Sequence, residues 1–141
     1  MKNTENTCVS ILIAEDDSIM QEFLQESFTQ MAPCVKVRLV PDGSKAVHFL
    51  TACTYDELPD LILLDYNMPF MTGEEVLEKI YGDERYNSVP KVILSSWIPP
   101  EKIRNCLKLG MTKYFPKPSS FSEFHALVKE VVGLILKKLT L

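Results

Sequence analysis

Short apolar segments alternate five times with longer amphipathic segments along this chain. The apolar segments are rich in β-branched residues and are predicted to be strands, whereas the segments between them repeat apolar residues every three or four positions, as helices do. A chain with this alternation folds as an α/β protein, in which a parallel sheet lies between two helical layers. The predicted strands cover residues 9–14, 35–40, 61–65, 89–95 and 113–115.

Residues typical of helix starts follow the predicted strands. Pro41-Asp42-Gly43 precedes the second helix, and the prolines at positions 99 and 100 suit the first turn of the fourth, where no helical hydrogen bond is lost. The other three helices begin with the spacing of a capping box. The pairs are Ser18 with Gln21, Thr72 with Glu75, and Ser120 with Glu123.

The length of 141 residues fits one domain, predicted to cover residues 8–141 after a polar N-terminal tail at residues 1–7. The fifth helix uses up the residues after the last strand, so no output domain is expected. A net charge of −4 without a basic cluster argues against binding to nucleic acid or to a membrane surface. The sequence contains no signal peptide and no membrane-spanning stretch, and we therefore expect a cytoplasmic location.

Neither the histidines nor the cysteines have the spacing of metal ligands. His48 and His125 lack a second ligand nearby and are predicted to be helix surface or boundary residues. The cysteines include no Cys-x-x-Cys pair and lie mostly in or beside apolar segments, so we predict reduced, buried thiols. They are Cys8, Cys34, Cys53 and Cys106.

The fifth helix has a wide apolar face, which covers about 200° of its circumference, whereas a surface helix usually needs about 100°. Two interpretations stay open. The helix is either simply hydrophobic and partly exposed, or it forms a homodimer or binds a partner through this face. The apolar residues are Phe124, Leu127, Val128, Val131, Val132, Leu134, Ile135, Leu136 and Leu139.

Reactive side chains follow the ends of four predicted strands: Glu15 and Asp16, Asp65, Ser95, and Lys117. The carboxyl ends of parallel strands meet at one edge of the sheet, so these groups are expected to converge. Clustered carboxylates repel one another unless a cation lies between them, and a site with few protein ligands favours Mg²⁺ over Ca²⁺. Asp65 can then attack a phosphorus atom and form an acyl phosphate.

Charge balance supports this interpretation. Mg²⁺ and the ammonium of Lys117 together supply about three positive charges, against three carboxylates and a phosphoryl group of about −2. The hydroxyl of Ser95 can donate a hydrogen bond to a phosphoryl oxygen. Taken singly, an aspartate after a strand is usually a turn or cap residue, but the combination at four strand ends is hard to explain by structure alone.

The sequence resembles the response-regulator receiver family of two-component signalling from Ile11 to about Leu136. The shared motifs are ILIAEDDS at 11–18, LILLDYNMP at 61–69, TG at 72–73, VILSS at 92–96 and YFPKP at 114–118. The spacings from Asp65 to Ser95 and from Ser95 to Lys117 are also those of receivers. The resemblance implies a doubly wound, flavodoxin-like fold with five strands in the order 2-1-3-4-5 and five helices.

The resemblance also implies a role for each site residue. Asp65 would be the phosphoacceptor and Lys117 would contact the phosphoryl group, while Glu15 and Asp16 would bind Mg²⁺ together with Asp65 and the backbone carbonyl of Asn67. The phosphoryl group would come from a sensor histidine kinase or a histidine phosphotransfer protein. The receiver would later hydrolyse it, and would act as a signalling protein rather than as an enzyme.

The same resemblance predicts a conformational switch. Ser95 fills the hydroxyl position, and Tyr114 fills the aromatic position whose ring turns inward when the hydroxyl moves towards the phosphate. The peptide bond between Lys117 and Pro118 would be cis. The face made by the fourth helix, the fifth strand and the fifth helix would then change its affinity for an unknown downstream protein.

Three features depart from the common receiver pattern. Ser95 replaces the commoner threonine, which makes the side chain less stiff and the switch less sharp. Trp97 is bulky, and it either shields the acyl phosphate from water or covers the mouth of the site. The long connection at residues 51–60, in a receiver standing alone, resembles the small regulators paired with bacterial phytochromes.

Three other functions stay open. A flavodoxin-like cofactor-binding protein has the same architecture, but the loop Glu15-Asp16-Asp17 would repel phosphate without a metal. An aspartate-based phosphatase usually has a second acid two residues after its nucleophile, where this chain has Asn67. The third is a receiver-shaped interaction or dimerisation module that works without phosphorylation.

Overall fold

A computed structural model describes the backbone of residues 8–139 and the side chains of residues 8–137. Five parallel strands form one sheet in the order β2-β1-β3-β4-β5, which confirms the predicted doubly wound architecture. The predicted tail at residues 1–7 and the side chain of Leu139 lie outside the described part. The strands are β1 Ser10–Ala14, β2 Lys36–Val40, β3 Leu61–Asp65, β4 Lys91–Ser95 and β5 Lys113–Pro116.

Helices connect each strand to the next, as predicted. The long connection at residues 51–60 is partly ordered, because the second helix continues to Ala52 and a single 3₁₀ turn follows at Tyr55–Glu57. A second 3₁₀ turn, Glu84–Tyr86, precedes β4. The α-helices are α1 Ser18–Met31, α2 Gly43–Ala52, α3 Gly73–Ile80, α4 Pro100–Lys108 and α5 Phe121–Leu139.

The start of β4 differs from its prediction. The strand begins at Lys91 rather than at residue 89, because Pro90 has no N–H to donate to a neighbouring strand. The carbonyl of Pro90 still accepts a hydrogen bond from Ile62 N–H at 2.9 Å. β1 and β2 each begin one residue later than predicted, and β5 ends one residue later.

The predicted capping box at the start of α1 is wrong. Asp17 is the N-cap, and its Oδ1 accepts hydrogen bonds from the backbone N–H groups of Ile19 and Met20. A carboxylate at this position interacts with the positive end of the helix dipole as well as with the free N–H groups, so it displaces Ser18 as the cap. Gln21 is therefore available for another contact.

The other predicted helix starts agree better with the structure. Thr72 and Glu75 form the complete capping box of α3, and Pro100 is the first residue of α4. At α5, Ser120 Oγ accepts from Glu123 N–H at 3.2 Å, as predicted. The Glu123 carboxylate, however, accepts from Ser119 N–H rather than from Ser120, so only half of the box is formed.

Side chains from the two faces of the sheet form two separate apolar clusters. Along β3, Ile62 and Leu64 face the layer of α2, α3 and α4, whereas Leu61 and Leu63 face α1 and α5. Every residue of β3 and β4 is buried. These two strands are thus the rigid centre of the sheet, and they carry Asp65 and Ser95 at their ends.

Most of the wide apolar face of α5 belongs to the core. Phe124, Leu127, Val128, Val131 and Ile135 are buried in the cluster shared with the sheet and α1. A helix that packs against both a sheet and a second helix needs a broader apolar surface than one that packs on a sheet alone, which accounts for the width. Among the described side chains of α5, Phe121 and Leu136 are the large apolar ones left exposed.

The prediction of four buried cysteines is wrong in part. All four thiols are free, and Cys53 and Cys106 are buried, but Cys34 is exposed and Cys8 is only half-buried. Cys34 lies in the turn between α1 and β2, where the apolar neighbours in sequence do not enclose it in space. The exposure of His48 confirms its prediction as a helix surface residue.

His125 is half-buried, and its ring lies 4.0 Å from the ring of Phe121, measured between centroids. It therefore sits at the boundary of α5 with the core, as predicted. Within residues 8–139, no helix combines the length and the apolar character needed to cross a membrane.

Candidate functional site

The carboxyl ends of β1, β3 and β5 bring three charged side chains into direct contact. Lys117 Nζ donates to Asp65 Oδ2 at 2.9 Å and to Glu15 Oε1 at 3.3 Å. Asp65 and Glu15 are both almost fully buried, whereas Asp16 is exposed. The predicted convergence of strand ends is therefore present in the structure.

The local sequence fixes the position of Asp65. Its Oδ1 accepts a hydrogen bond from Asn67 N–H at 3.1 Å, and the carbonyl of Tyr66 accepts from Gly73 N–H at 2.9 Å. A Cβ atom at Gly73 would lie 2.9 Å from the carbonyl oxygen of Asp65. Only glycine lets α3 approach the end of β3 so closely, which gives a physical reason for the Thr-Gly motif.

The donor set suits a hard divalent cation. One carboxylate oxygen from each of Glu15, Asp16 and Asp65 lies within 4.8 Å of the others. Glu15 Oε2 is buried and has no hydrogen-bond partner, which is costly for a charged oxygen unless a cation or proton compensates it. Oxygen ligands of this kind are those that Mg²⁺ prefers.

The pKa values of the site describe the same imbalance. Burial, followed by the hydrogen bond and charge of Asp65, raises the pKa of Glu15 to about 8, and Lys117 only partly opposes this. Burial lowers the pKa of Lys117, but hydrogen bonds and charges from Asp65 and Glu15 outweigh it, so the pKa is raised overall. The ammonium of Lys117 thus does not offset the effect of burial and of Asp65 on the pKa of Glu15.

Ser95 lies at the end of β4, but its hydroxyl points into its own loop. Ser95 Oγ donates to the carbonyl of Trp97 at 2.7 Å and accepts from Trp97 N–H at 3.2 Å. Lys117 N–H donates to the carbonyl of Ser95 at 3.1 Å, which links the backbones of the two strand ends. The side chain of Trp97 is 69% exposed. Tyr114 is half-buried and packs against the cluster under α2, α3 and α4.

The predicted cis bond between Lys117 and Pro118 is wrong for this structure. Residues 8–139 contain no cis peptide bond. The trans form is the more favourable one for most bonds that precede proline.

Two contacts and one unusual backbone conformation near the site were not predicted from the sequence. Gln21 Nε2 donates to the carbonyl of Glu15, and Lys102 of α4 forms a 3.3 Å ion pair with Glu74 of α3. Phe70, in the loop after Asp65, has a φ of 70° and is 90% exposed. Gln21 is the second residue of the apparent capping box that begins at Ser18, but that pattern predicted a contact with Ser18 rather than with Glu15.

Comparison with known proteins identifies the family. The family model of the response regulator receiver domain matches residues 11–129. The two-component response regulator ARR17 of Arabidopsis thaliana is 32% identical over 124 residues, which cover 82% of this chain and 80% of that protein. ARR8 of the same plant is 32% identical over 142 residues, covering 90% of this chain and 63% of that protein. The chain therefore spans less than two thirds of the length of ARR8.

Solved structures give the same class. The phosphorylated cyanobacterial phytochrome response regulator RcpA is 30% identical, with a TM-score of 0.79 and coverage of 91% of this chain and 94% of that one. The Mn²⁺-bound form of response regulator Rcp1 is 25% identical, with a TM-score of 0.75 and coverage of 87% and 91%. The similarity to RcpA agrees with the predicted resemblance to regulators paired with phytochromes.

The chain belongs to the response-regulator receiver domain family. It is a signalling domain of two-component systems, rather than a flavodoxin-like cofactor-binding protein or an aspartate-based phosphatase. Domains of this family typically bind Mg²⁺ and interact with histidine kinases or phosphotransfer proteins.

Proposed function

We propose that this receiver accepts a phosphoryl group on Asp65 from a histidine kinase or a histidine phosphotransfer protein. In this proposal, Mg²⁺ is held by Glu15, Asp16, Asp65 and the backbone carbonyl of Asn67. The main support is the pair of buried carboxylates that share the single ammonium of Lys117, with one oxygen of Glu15 left without a partner. Such a site is short of positive charge, and a divalent cation supplies it.

The proposed reaction transfers a phosphoryl group to a carboxylate oxygen of Asp65. A carboxylate oxygen forms a bond to phosphorus while the P–N bond of the donor's phosphohistidine breaks, and the imidazole nitrogen keeps the electron pair. Lys117, already 2.9 Å from Oδ2, donates to the transferred group. Mg²⁺, when bound, neutralises charge on the phosphoryl oxygens. Water later attacks the acyl phosphate and restores the free carboxylate.

The signal would leave the site through Ser95. Its hydroxyl now donates a hydrogen bond to the carbonyl of Trp97 at 2.7 Å. After phosphorylation it would donate to a phosphoryl oxygen instead, because a charged acceptor forms the stronger bond. The β4–α4 loop moves with it, Tyr114 turns inward, and the surface made by α4, β5 and α5 changes its affinity for a downstream protein. We propose that this surface passes the signal to another protein.

Phosphorylation with acetyl phosphate tests this proposal directly. The wild type, incubated with Mg²⁺ and acetyl phosphate, should gain one phosphoryl mass that base and hydroxylamine remove. Asp65→Asn should gain none and should stay folded, because replacing one carboxylate relieves repulsion in the cluster. Asp56→Asn changes an exposed carboxylate away from the site and serves as the matched control.

The outcome separates the two remaining functions. A folded wild type that gains no mass would refute the phosphorylation cycle and favour the phosphorylation-independent interaction module. Sedimentation with and without acetyl phosphate tests the predicted homodimer through α5, and a monomer in both conditions would refute it.

A further inference from the structure

Gln21 contacts the acidic loop between β1 and α1 from within the helix. Its side-chain Nε2 donates to the carbonyl oxygen of Glu15 at 2.5 Å, although the two residues are six positions apart. Its backbone N–H also donates to the carbonyl of Asp17 at 2.9 Å. Asp17 already caps the helix, so the side chain of Gln21 is not needed as a cap. The contact instead ties the loop to the helix.

The carbonyl that Gln21 holds belongs to the peptide unit between Glu15 and Asp16. The N–H of Glu15 is held on its other side, where it donates to the carbonyl of Val40 at 3.1 Å. Together these two bonds fix the rotation of the backbone at Glu15. That rotation sets the direction of the backbone at Asp16 and therefore of its side chain.

Asp16 depends on this backbone support more than its neighbours do. Glu15 and Asp65 are buried and share the ammonium of Lys117, so packing and ion pairs hold their side chains. Asp16 is exposed, and an exposed side chain gains little from packing. Its carboxylate nevertheless lies within 4.8 Å of the oxygens of the other two acids.

We propose that Gln21 is a positioning residue for the divalent cation site, because it fixes the Glu15–Asp16 peptide and so presents Asp16 towards the other two carboxylates. This inference rests on the proposed function in one respect, namely that the site binds Mg²⁺. Without the amide of Gln21, the carbonyl loses a partner and the peptide can rotate. The cation then keeps two well-placed carboxylates instead of three.

Gln21→Met isolates this role. Methionine has a similar length and helix propensity but no N–H to donate. We expect the Kd for Mn²⁺, read from the free-ion signal in electron paramagnetic resonance, to rise about three- to tenfold, the range that the loss of one hydrogen bond produces. Competition with Mg²⁺ should give the same ratio. Gln25→Met, the same change at an exposed position one turn later, should leave the Kd unchanged.

A second readout distinguishes positioning from a merely structural role. Phosphorylation of Gln21→Met by acetyl phosphate should be slower at low Mg²⁺ and should return to within about twofold of wild type at saturating Mg²⁺, because Gln21 does not touch the reacting atoms. A purely structural residue would lower the melting temperature and leave the Mn²⁺ Kd unchanged.

The possible failures are distinct. If the wild type binds Mn²⁺ and Gln21→Met binds it equally well, the inference is wrong while the proposed function stands. If the folded wild type binds neither Mn²⁺ nor Mg²⁺, the proposed cation site is wrong and the inference falls with it.

Discussion

The carboxyl and amino edges of the sheet differ in how their buried polar groups are hydrogen-bonded. Among the described side chains, three buried polar atoms lack a hydrogen-bond partner, namely Glu15 Oε2, Glu74 Oε2 and His125 Nε2. Glu15 lies in a loop and Glu74 in a first helical turn at the carboxyl edge, where Asp65 lies, and His125 lies in the second turn of α5. Charge at this edge is thus incompletely compensated within the protein itself.

At the amino edge, by contrast, polar side chains satisfy the ends of helices. Tyr86 OH donates to the carbonyl of Leu50 at 2.6 Å, and the guanidinium of Arg85 donates to the carbonyls of Leu50 and Cys53. Lys91 Nζ donates to the carbonyls of Tyr86 and Val89. The bonds from Arg85 and Tyr86 tie the C-terminus of α2 to the turn before β4.

The difference separates stability from signalling. At the amino edge, polar side chains donate to backbone carbonyls, and those of Leu50 and Cys53 lie at the end of α2, where helical partners are lacking. The carboxyl edge leaves Glu15 Oε2 without a partner, at the place where the proposed cation would bind. Substitutions at the amino edge should therefore change the free energy of unfolding and leave phosphorylation intact, whereas those in the charged cluster of Glu15, Asp65 and Lys117 at the carboxyl edge should change phosphorylation.

Lys117→Met should have the largest effect. The substitution removes the ammonium that contacts Asp65 and Glu15, and the loss of one preorganised donor typically slows a reaction by about 100-fold or more. The rate of mass gain with acetyl phosphate at saturating Mg²⁺ measures this effect.

Lys113→Met is the matched control for Lys117→Met. Lys113 is the first residue of β5, the strand that Lys117 follows, and it forms an exposed ion pair with Glu130 at 3.3 Å, and pairs of this kind contribute little. Its phosphorylation rate should equal that of the wild type. A Lys117→Met protein that reacts within threefold of the wild type would show that the carboxyl edge does not work as proposed.

Tyr86→Phe should affect the opposite property. The phenol is buried and donates to the carbonyl of Leu50, so its removal should lower the free energy of unfolding by about 1–2 kcal/mol. Urea denaturation measures the change. The acetyl phosphate reaction should stay within twofold of the wild type.

Tyr81→Phe provides the comparison for Tyr86→Phe, because Tyr81 lies in the same region but is exposed. It should leave the unfolding free energy unchanged. If Tyr86→Phe slowed phosphorylation while the free energy of unfolding stayed constant, the proposed separation of stability and phosphorylation between the two edges would be wrong.

The sequence predicted the carboxyl edge better than the contacts that support it. Glu15, Asp65 and Lys117 could be located because each follows an apolar strand, and parallel strands bring their ends together whatever the details of the loops. The cap of α1 could not be predicted, because Asp17 and Ser18 are both good caps and local preference does not rank them. The Gln21 contact depends on the path of the loop, which no periodicity encodes.

The same limit applies to burial. Cys34 lies between apolar residues in sequence, yet it is exposed in the turn before β2, because a turn at the sheet edge has few neighbours in space. Cys106 is buried because α4 holds it against the sheet, and Cys53, the C-cap of α2, is buried beside Tyr86, with its Sγ 3.2 Å from the phenol oxygen. Strand and helix interiors are thus predictable from pattern, whereas turns depend on tertiary geometry.

Substitution of Phe70 has the smallest expected effect, and it tests whether backbone strain lies at the carboxyl edge. It combines a φ of 70° with a side chain that is 90% exposed, so neither its backbone nor its ring benefits the fold. Asparagine tolerates the left-handed region better than other non-glycine residues. Phe70→Asn should therefore raise the free energy of unfolding by about 0.5–1 kcal/mol, measured by urea denaturation.

Phe121→Asn shows whether loss of an exposed ring alone explains that gain. Phe121 is also strongly exposed at the carboxyl edge, but it is the first residue of α5 and its backbone is helical. It should give no stabilisation. Equal stabilisation by both substitutions would mean that hydrophobic exposure, not backbone strain, is the cost at this edge. Stabilisation by Phe70→Asn alone would place backbone strain, together with an unpaired carboxylate oxygen, near Asp65, where the proposed function would be maintained at a cost in stability.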